Sequence, residues 1–238
     1  MNKERKHQLS FRSSHDDPEY DELDFMSSRT GRGLGRIWEP GYLLPSGRVV
    51  ETPLPLNTSS THPIYVNWIE TSRTGTAGKL GMTLCPGRKG IGRTARYERE
   101  LESDFSQLKK HKLDVIVPLI EDFEFKELKI TEYFDLANDF KFEPIWFPIR
   151  DGGTPKSIRK TRSLVAELVT HLRYGRNVVL HCKAGQGRTG AIAACVLSDL
   201  GYLPADAIAV VRGTRKGTVE NFNQENFVTR FRGKGFKW

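Results

Sequence analysis

Apolar residues are grouped along the chain in short continuous runs, separated by longer stretches of mixed polarity. Three of these runs, residues 114–120, 144–149 and 177–180, are bounded by polar residues. Runs of this kind are typical of strands that are buried on both faces of a parallel sheet. Residues 79–85 predict a further strand, and residues 62–69 alternate apolar with polar positions, which favours a strand at the sheet edge.

The stretches between these runs carry a helical repeat. The predicted helices cover residues 97–111, 123–137, 154–174, 191–200, 204–211 and 221–231, the second being one helix or a pair. Thr154 and Pro155 have the residue types that begin a helix, and Gly175 has the type that ends one. Because strands alternate with helices, we predict an α/β fold in which a mostly parallel central sheet is flanked by helices on both faces.

The first quarter of the chain has a different composition. Residues 1–36 are polar and hold an acidic cluster at residues 16–24, and residues 37–61 are rich in proline and glycine. Segments with so few apolar residues cannot bury a core, so we predict a largely irregular or disordered extension over residues 1–61. The acidic cluster is expected to be solvated, although it could cover a basic surface of the same chain. Residues 62–238 then form the folded domain.

Charge is distributed unevenly along the 238 residues, whose formal net charge is +8. The first 62 residues hold 8 Lys and Arg against 9 Asp and Glu, whereas the rest hold 29 against 20. A basic folded part favours anionic substrates. Nucleic acid is not expected as a partner, because the sequence has no recognition motif and no aromatic residues interleaved with arginines.

The sequence has no segment that indicates export or insertion into a membrane. No apolar run approaches the length of about 18 residues that a membrane span requires, and no charged-then-apolar N-terminus is present. The three cysteines do not make a disulfide framework. We therefore expect a cytoplasmic protein whose thiols are kept reduced.

Residues 181–190, His-Cys-Lys-Ala-Gly-Gln-Gly-Arg-Thr-Gly, follow the run 177–180 and precede a predicted helix of small residues. We call this segment the cysteine loop. A strand, a glycine-bearing loop and a helix N-terminus aim backbone amides and the positive end of a helix dipole at one point, which suits a phosphate-sized dianion. The segment is not a nucleotide P-loop, because the order Gly-x4-Gly-Lys-Ser/Thr is absent.

Side chains of the cysteine loop have the chemistry to attack and hold a phosphate. Cys182, placed among amides at a helix N-terminus, is expected to be a thiolate nucleophile. Arg188 offers a planar fork of donors that matches two phosphoryl oxygens. Thr189 is expected to donate its hydroxyl to the departing sulfur, and Lys183 adds positive charge at the rim. The residues expected to bind the phosphate are Lys183, Ala184, Gly185, Gln186, Gly187 and Arg188.

The cysteine loop resembles the signature loop of the cysteine-dependent protein tyrosine and dual-specificity phosphatases. Two further segments resemble loops of the cyclin-dependent-kinase-associated phosphatases, the cyclin-dependent kinase inhibitor 3 family. Residues 151–155, Asp-Gly-Gly-Thr-Pro, are similar to the acid loop of that family, and residues 217–224, Gly-Thr-Val-Glu-Asn-Phe-Asn-Gln, to its water-positioning loop. The resemblance covers residues 78–233 and implies the protein tyrosine phosphatase fold.

The resemblance implies roles for residues outside the cysteine loop. Asp151, which follows the predicted strand 144–149, would protonate the leaving oxygen and then act as the base that activates water. Gln224 would position that water, although Glu220 stands where many relatives carry a first glutamine. His181 ends a predicted strand and is expected to orient the cysteine loop through hydrogen bonds.

The two remaining cysteines lie outside the cysteine loop. Cys195 lies among small apolar residues of a predicted helix and is expected in the core. Cys85 precedes Pro86 at a strand end, where it could form a disulfide with oxidised Cys182. None of the six histidines has a metal-ligand spacing with cysteine or a carboxylate, so no metal and no cofactor is expected.

These residues predict an enzyme that works through a phospho-cysteine intermediate, with residues 62–238 as its catalytic domain. The expected substrates are phosphotyrosine monoesters, and also phosphoserine or phosphothreonine, on a protein that the resemblance suggests could be a kinase. Two alternatives stay open at this point. One is a phosphatase of phosphoinositides or small molecules, which Lys183 would favour, and the other is a phospho-residue binding protein without turnover, with which Glu220 is compatible.

Overall fold

The computed structural model describes residues 42–43, 49–50 and 53–231 of the chain. The chain divides after Thr52 into two compact units. Strands β1 (Tyr42–Leu43) and β2 (Val49–Val50) of the first unit form an antiparallel pair. The rest of the predicted extension up to residue 52 lies outside the described residues, so its irregular character stays a prediction.

A five-stranded sheet forms the centre of the second unit. Its strands are β4 (Asn67–Ile69), β5 (Leu80–Thr83), β8 (Val115–Pro118), β9 (Glu143–Pro144) and β10 (Val178–His181). They lie in the order β4-β5-β10-β8-β9, and every neighbouring pair is parallel except β4 with β5. The predicted parallel sheet is confirmed. The strand predicted over residues 62–69 does lie at an edge, but only Asn67–Ile69 form it.

The three central strands end side by side. In the registers of β10 with its two neighbours, His181 is paired with Thr83 of β5 and with Pro118 of β8. All residues of these three strands are buried, which explains their continuous apolar sequences. Residues that follow the three strands therefore meet at one edge of the sheet, where ligands of open α/β sheets bind.

Helices cover both faces of this sheet. Those in the described part of the chain are α1 (Thr71–Thr74), α2 (Leu101–Lys110), α3 (Asp122–Glu127), α4 (Tyr133–Asp139), α5 (Ile158–Arg173), α6 (Gly187–Asp199), α7 (Pro204–Thr214) and α8 (Phe222–Arg230). Helix α6 contacts β5 and β10 and packs against α5, α7 and α8, whereas α2 packs against α4, which contacts β9. The predicted α/β fold is confirmed, and the stretch 123–137 forms a helix pair.

A second sheet of three strands was not predicted. Its strands are β3 (Leu56–Thr58), β7 (Arg96–Glu98) and β6 (Lys89–Ile91), in that order. The helix predicted over residues 97–111 is therefore wrong at its start, because α2 begins at Leu101. Tyr97 lies in β7, and the Arg88 guanidinium lies over its ring at 3.9 Å. A local helical repeat cannot report such contacts between separate segments.

Two helix starts also differ from the predictions. Helix α5 begins at Ile158, and its N-cap Ser157 accepts a hydrogen bond from the Lys160 amide at 3.3 Å, so the predicted cap Thr154 lies in the segment before the helix. Helix α6 begins at Gly187, four residues earlier than predicted, so the second half of the cysteine loop is its first turn. Glycine has low helix propensity, which is why the pattern placed this start too late.

The strand predicted over residues 144–149 is only partly regular. Strand β9 ends at Pro144, but alternate amides up to that of Ile149 donate to carbonyl groups of β8 and of the residue after it, at 2.9–3.1 Å. The segment therefore stays beside β8, and it brings Asp151 to the carboxyl edge of the sheet.

Candidate active site

The cysteine loop lies at the carboxyl edge of the central sheet, between β10 and α6. Cys182 directly follows β10 and is 3% exposed, and Gly187 begins α6. Every residue of α6 up to Ser198 is buried, because its small side chains allow close packing between the sheet and three other helices. This is the strand, loop and helix arrangement that the sequence predicted.

The backbone amides of residues 183–187 point into the cysteine loop. The carbonyl groups of residues 182–186 each accept a hydrogen bond that turns them away from the centre of the loop. In a trans peptide the N–H of the next residue points the opposite way. No described residue accepts a hydrogen bond from these five amides. Together with the positive end of the α6 dipole, the amides form a cradle for an anion.

Two glycines of the cysteine loop are required by close contacts. Gly185 has φ +70°, and a Cβ on it would lie 2.0 Å from the Thr83 carbonyl oxygen of β5. A Cβ on Gly187 would lie 2.2 Å from a carboxylate oxygen of Glu220 and 2.7 Å from Nε2 of Gln224. Both sites therefore need the conformational freedom or the small size of glycine, as the sequence analysis expected.

Arg188 is buried and is held by three partners. Its Nη1 donates to the Glu124 carboxylate at 2.6 Å and to the Ile149 carbonyl at 3.0 Å, and its Nη2 donates to the second Glu124 oxygen at 3.0 Å. Nη2 also lies 2.8 Å from the Asp151 carboxylate. Burial alone would lower the pKa of Arg188, but the Glu124 carboxylate, Cys182 and Asp151 together outweigh burial, and the pKa lies above its ordinary value. Nε is the buried donor of this group that has no partner among the described residues.

Glu124 is a site residue that the sequence analysis missed. It lies in the first turn of α3, is 1% exposed, and accepts a hydrogen bond from the Glu121 amide at 2.8 Å, as in a capping box. A glutamate three residues after a helix N-cap is a recognisable local signal. No local signal shows that its carboxylate is buried against Arg188, 64 residues away in the sequence.

His181 is fully buried between two hydrogen bonds. Its Nδ1 lies 3.2 Å from the Cys182 carbonyl oxygen, which can only accept, so Nδ1 carries the proton. Its Nε2 then accepts from the Tyr133 hydroxyl at 2.5 Å. Burial lowers the pKa of His181 to about 3, so the ring is neutral at physiological pH. These bonds suit the predicted role of orienting the cysteine loop.

The predicted general acid lies next to Arg188. The Asp151 side chain is 63% exposed, and it follows the segment that runs beside β8. The N-cap and the first turn of α8 hold the turn that carries it. Asn221 Nδ2 donates to the Gly152 carbonyl at 2.9 Å, and Gln224 Nε2 donates to the Gly153 carbonyl at 3.3 Å. The acid loop is thus attached to the segment predicted to position water.

Gln224 is fully buried, and both ends of its side chain have partners. Its Oε1 accepts from the Glu220 amide at 2.9 Å, while its Nε2 donates to the acid loop. The Glu220 carboxylate lies beside it against Gly187. Gln224 would have to exchange one of these bonds for a bond to water, so its water-positioning role stays a prediction.

Three further side chains of the cysteine loop, those of Thr189, Lys183 and Gln186, form no hydrogen bond with Cys182 or Arg188. The Thr189 hydroxyl is buried and has no partner in the described part of the chain, so the bond to Cys182 is not formed. The Lys183 ammonium lies 3.7 Å from the Glu127 carboxylate at the rim. The Gln186 side chain donates to a backbone carbonyl outside the loop at 3.3 Å, which leaves its backbone amide for a phosphate.

Cys85 and Cys195 are buried free thiols, and burial raises the pKa of both. Cys195 lies in α6 within the core, as predicted. Cys85 lies behind the cysteine loop, where its amide donates to the Lys183 carbonyl at 3.3 Å. A disulfide between Cys85 and Cys182 stays a prediction.

Residues 53–231 and strands β1 and β2 contain neither a candidate metal site nor a candidate membrane span. No group of three His, Cys, Asp or Glu side chains there could hold a metal ion. No helix there is long and apolar enough to cross a membrane.

Comparison with known proteins gives one consistent family. The family model for cyclin-dependent kinase inhibitor 3 matches residues 51–210. The cyclin-dependent kinase inhibitor 3 of Homo sapiens is 30% identical over 183 residues, covering 76% of this chain and 84% of the relative. The protein of the same name from Rattus norvegicus is 29% identical over 175 residues, covering 72% and 80%. A putative tyrosine phosphatase of Invertebrate iridescent virus 3 is 37% identical over 75 residues, 29% of this chain and 31% of its own.

Solved structures agree with the family match. A kinase associated phosphatase with serine in place of its catalytic-site cysteine superimposes with a TM-score of 0.65 at 30% identity, covering 73% of this chain and 96% of that one. The phosphatase Tk-PTP in its active form gives a TM-score of 0.55 at 22% identity, over 70% and 95%, which shows the fold alone. The predicted resemblance is confirmed, and this chain belongs to the cyclin-dependent kinase inhibitor 3 family of cysteine-dependent phosphatases.

Proposed function

We propose that this protein hydrolyses phosphotyrosine monoesters of a protein substrate, and also phosphoserine and phosphothreonine, through a phospho-cysteine intermediate. The observation that carries the proposal is the cradle beside Cys182, built from the five amides of residues 183–187 and the Nε of Arg188, none of which has an acceptor among the described residues. Arg188 Nε is buried, and a buried donor without an acceptor costs about 1–3 kcal/mol. A phosphoryl group supplies three acceptor oxygens to such donors.

In the first step the Cys182 thiolate attacks phosphorus. The S–P bond forms as the P–O bond to the leaving group breaks, and Asp151 gives its proton to the leaving oxygen. The amides and Arg188 stabilise the charge of the phosphoryl oxygens in the transition state. When the phosphoryl group binds to Arg188, it replaces the Asp151 carboxylate there, which frees Asp151 to reach the leaving oxygen.

In the second step a water molecule attacks the phospho-cysteine. The O–P bond forms as the S–P bond breaks, the proton of the water passes to Asp151, and the products are inorganic phosphate and the Cys182 thiolate. The buried hydroxyl of Thr189, which has no partner among residues 53–231, is a donor available to stabilise the departing sulfur. Gln224 positions the water after it releases its bond to the acid loop.

A phosphorylated kinase is the substrate that the relatives suggest. Their names, cyclin-dependent kinase inhibitor 3 and kinase associated phosphatase, both refer to kinases. A protein substrate is compatible with the exposed position of Asp151 at the mouth of the site. We further propose a cytoplasmic location, because a working thiolate needs a reducing compartment, and no role in nucleic-acid binding.

A phosphoinositide or another highly anionic small molecule is the second candidate, because Lys183 lies at the rim. The Glu127 carboxylate beside Lys183 offsets part of that charge. We therefore expect a phosphopeptide to have a higher kcat/KM than an inositol phosphate, and the reverse order would favour the second candidate.

The deciding experiment is the pH dependence of p-nitrophenyl phosphate hydrolysis under reducing conditions. We expect Cys182→Ser to abolish turnover. We expect Asp151→Asn to lower kcat by about 10²-fold or more and to remove the fall in rate toward high pH, which reports loss of the proton of the acid. Asp206→Asn, an exposed substitution in α7, is the matched control and should resemble the wild type. Phosphate binding without turnover in the wild-type protein would contradict the proposal and favour a phospho-residue binding protein.

A further inference from the structure

The guanidinium group of Arg215 lies behind the cysteine loop and holds two of its carbonyl groups. Nε donates to the Gly185 carbonyl at 2.7 Å, and Nη2 donates to the Ala184 carbonyl at 2.9 Å. Two parallel bonds from one planar group fix the orientation of both peptides.

The structure holds Arg215 in place from the side opposite to the cysteine loop. Its Nη1 donates to Asn67 Oδ1 of β4 at 2.6 Å, and Asn67 in turn donates to the Thr214 carbonyl at 3.2 Å. Arg215 is also the C-cap of α7, where its amide donates to the Val211 carbonyl at 2.9 Å. Strand β4 and helix α7 therefore fix the guanidinium before any ligand binds.

A second arginine holds the preceding carbonyl group. Arg88 Nη1 donates to the Lys183 carbonyl at 3.0 Å, and the guanidinium lies 3.9 Å from the centre of the Tyr97 ring. Three consecutive carbonyl groups, those of residues 183–185, are thus directed outward by two arginines.

These bonds decide where the amides of the next residues point. In a trans peptide, an outward carbonyl of residues 183, 184 and 185 places the N–H of residues 184, 185 and 186 inward. Gly185, with φ +70°, gives the loop more freedom to turn a peptide over than any other residue would. A turned peptide would direct a carbonyl oxygen toward the phosphoryl oxygens, and the two would repel.

We propose that Arg215 is a positioning residue of the phosphatase reaction, which keeps the amides of the cysteine loop directed at the phosphoryl group. The inference rests on the proposed function for its catalytic consequence. The expected effect on the affinity of the cysteine loop for an oxyanion does not depend on turnover. Arg215 was not singled out from the sequence, because its partners come from β4 and from the cysteine loop.

The test compares Arg215→Ala and Arg215→Lys with the wild type, using inorganic phosphate as the probe. We expect Arg215→Ala to raise the phosphate dissociation constant and the KM for p-nitrophenyl phosphate by about tenfold or more, and to lower kcat as well. Arg215→Lys should be intermediate, because an ammonium keeps the charge but lacks the planar fork. Arg162→Ala, which removes an exposed arginine of α5, is the matched control and should leave these constants unchanged.

Phosphate binding is measured by calorimetry, at a temperature where circular dichroism shows each variant folded. If Arg215→Ala lowers the melting temperature but leaves the phosphate dissociation constant and the KM unchanged, Arg215 is merely structural and the proposal is overturned. If that variant does not fold, Asn67→Ala is the second variant, and a rise of a few-fold in the same constants is expected. A wild-type protein that binds phosphate without turnover would contradict the proposed function and leave this test intact.

Discussion

At the scale of single residues, the site depends on buried polar groups that have specific partners. Arg188 is paired with Glu124, and neutral His181 is bonded to Tyr133. Each pair joins the cysteine loop to the segment that follows β8. Removing one partner should lower the free energy of unfolding much more than the same substitution at the surface, because the other partner stays buried without its bond.

Glu124→Gln should therefore be strongly destabilising and should also slow catalysis. Loss of one partner of a buried ion pair costs on the order of 3 kcal/mol, and Arg188 would lose the carboxylate that orients its fork. Urea unfolding and steady-state kinetics with p-nitrophenyl phosphate measure the two effects. Glu127→Gln, in the same helix at a side chain that is 57% exposed, should change stability by less than about 1 kcal/mol. Equal effects of the two substitutions would contradict the assignment of Glu124.

The buried neutral His181 predicts a dependence of stability on pH. Its pKa is lowered by burial from 6.5 to about 3, so between these values the unfolded state binds more protons than the folded state. The free energy of unfolding should thus fall as the pH falls below 6.5, by up to about 1.4 kcal/mol per pH unit from this group. Above pH 6.5 both states are neutral and the contribution no longer changes.

Urea unfolding at pH 7, 6 and 5 measures this dependence. His181→Asn should lose part of the slope, whereas His111→Asn, at an exposed position, should keep it. An imidazole NMR signal of His181 that titrates near pH 6.5 in the folded protein would contradict the prediction.

At the scale of elements, α6 shows how the packing of a helix decides what its glycines require. Gly190 in α6 lies against residues 218 and 219 of the segment that precedes α8. A Cβ on Gly190 would be 2.6 Å from both the Thr218 Cβ and the Val219 nitrogen. Gly213 lies within α7, and apart from its chain neighbours and the backbone of its own helix, no atom of the described residues lies within 4 Å of such a Cβ. The same residue type is thus required in one helix and costs stability in the other.

Gly213→Ala should stabilise the protein by about 0.5–1 kcal/mol, because alanine has the higher helix propensity and the added methyl group meets no neighbour. Gly190→Ala, the matched substitution in α6, should destabilise it. The midpoint of urea unfolding, at an unchanged m-value, measures both effects. Two shifts of the same sign would show that helix propensity, rather than packing, determines the outcome.

At the scale of the whole molecule, the described folded part begins earlier than the predicted boundary at residue 62. Strand β3 lies before that boundary and pairs with β7. Ser59 exchanges hydrogen bonds with the backbone of Glu100 at 2.9 and 3.3 Å. Buried Arg99 donates to the carbonyl groups of Thr58 and His62 at 3.4 and 2.8 Å.

A chain that begins at Pro53 should therefore fold with the stability and kcat/KM of the full chain. The free energy of unfolding of a chain that begins at His62 should be lower by about 1–4 kcal/mol, because that chain lacks β3 and several hydrogen bonds worth about 0.5–1.5 kcal/mol each. Thermal unfolding and hydrolysis of p-nitrophenyl phosphate compare the three chains. A higher kcat/KM for the chain from Pro53 would instead indicate that the first 52 residues restrict access to the site.

Much of the site was predictable because its chemistry is local in the sequence. One strand, turn and helix hold Cys182, the loop amides and Arg188, so their spacing alone indicates a phosphate site. Although its role as the acid stays a prediction, the position of Asp151 was predictable because the carboxyl ends of parallel strands meet at one edge. Glu124 and Arg215 were not, because each acts on the cysteine loop from another part of the chain.

The sequence by itself determined the order along the chain of the central strands and the longer helices, because these depend on local periodicity. It also determined the cysteine loop and the resemblance to the family, because these depend on residues at fixed spacing. Only the tertiary structure decided the start of α6 and of α2, the second sheet, and the partners of Arg188 and of the loop carbonyls. Those outcomes depend on which distant groups become buried together. A buried charge or carbonyl group without a partner destabilises the fold, so its partner is whichever group the tertiary structure brings next to it.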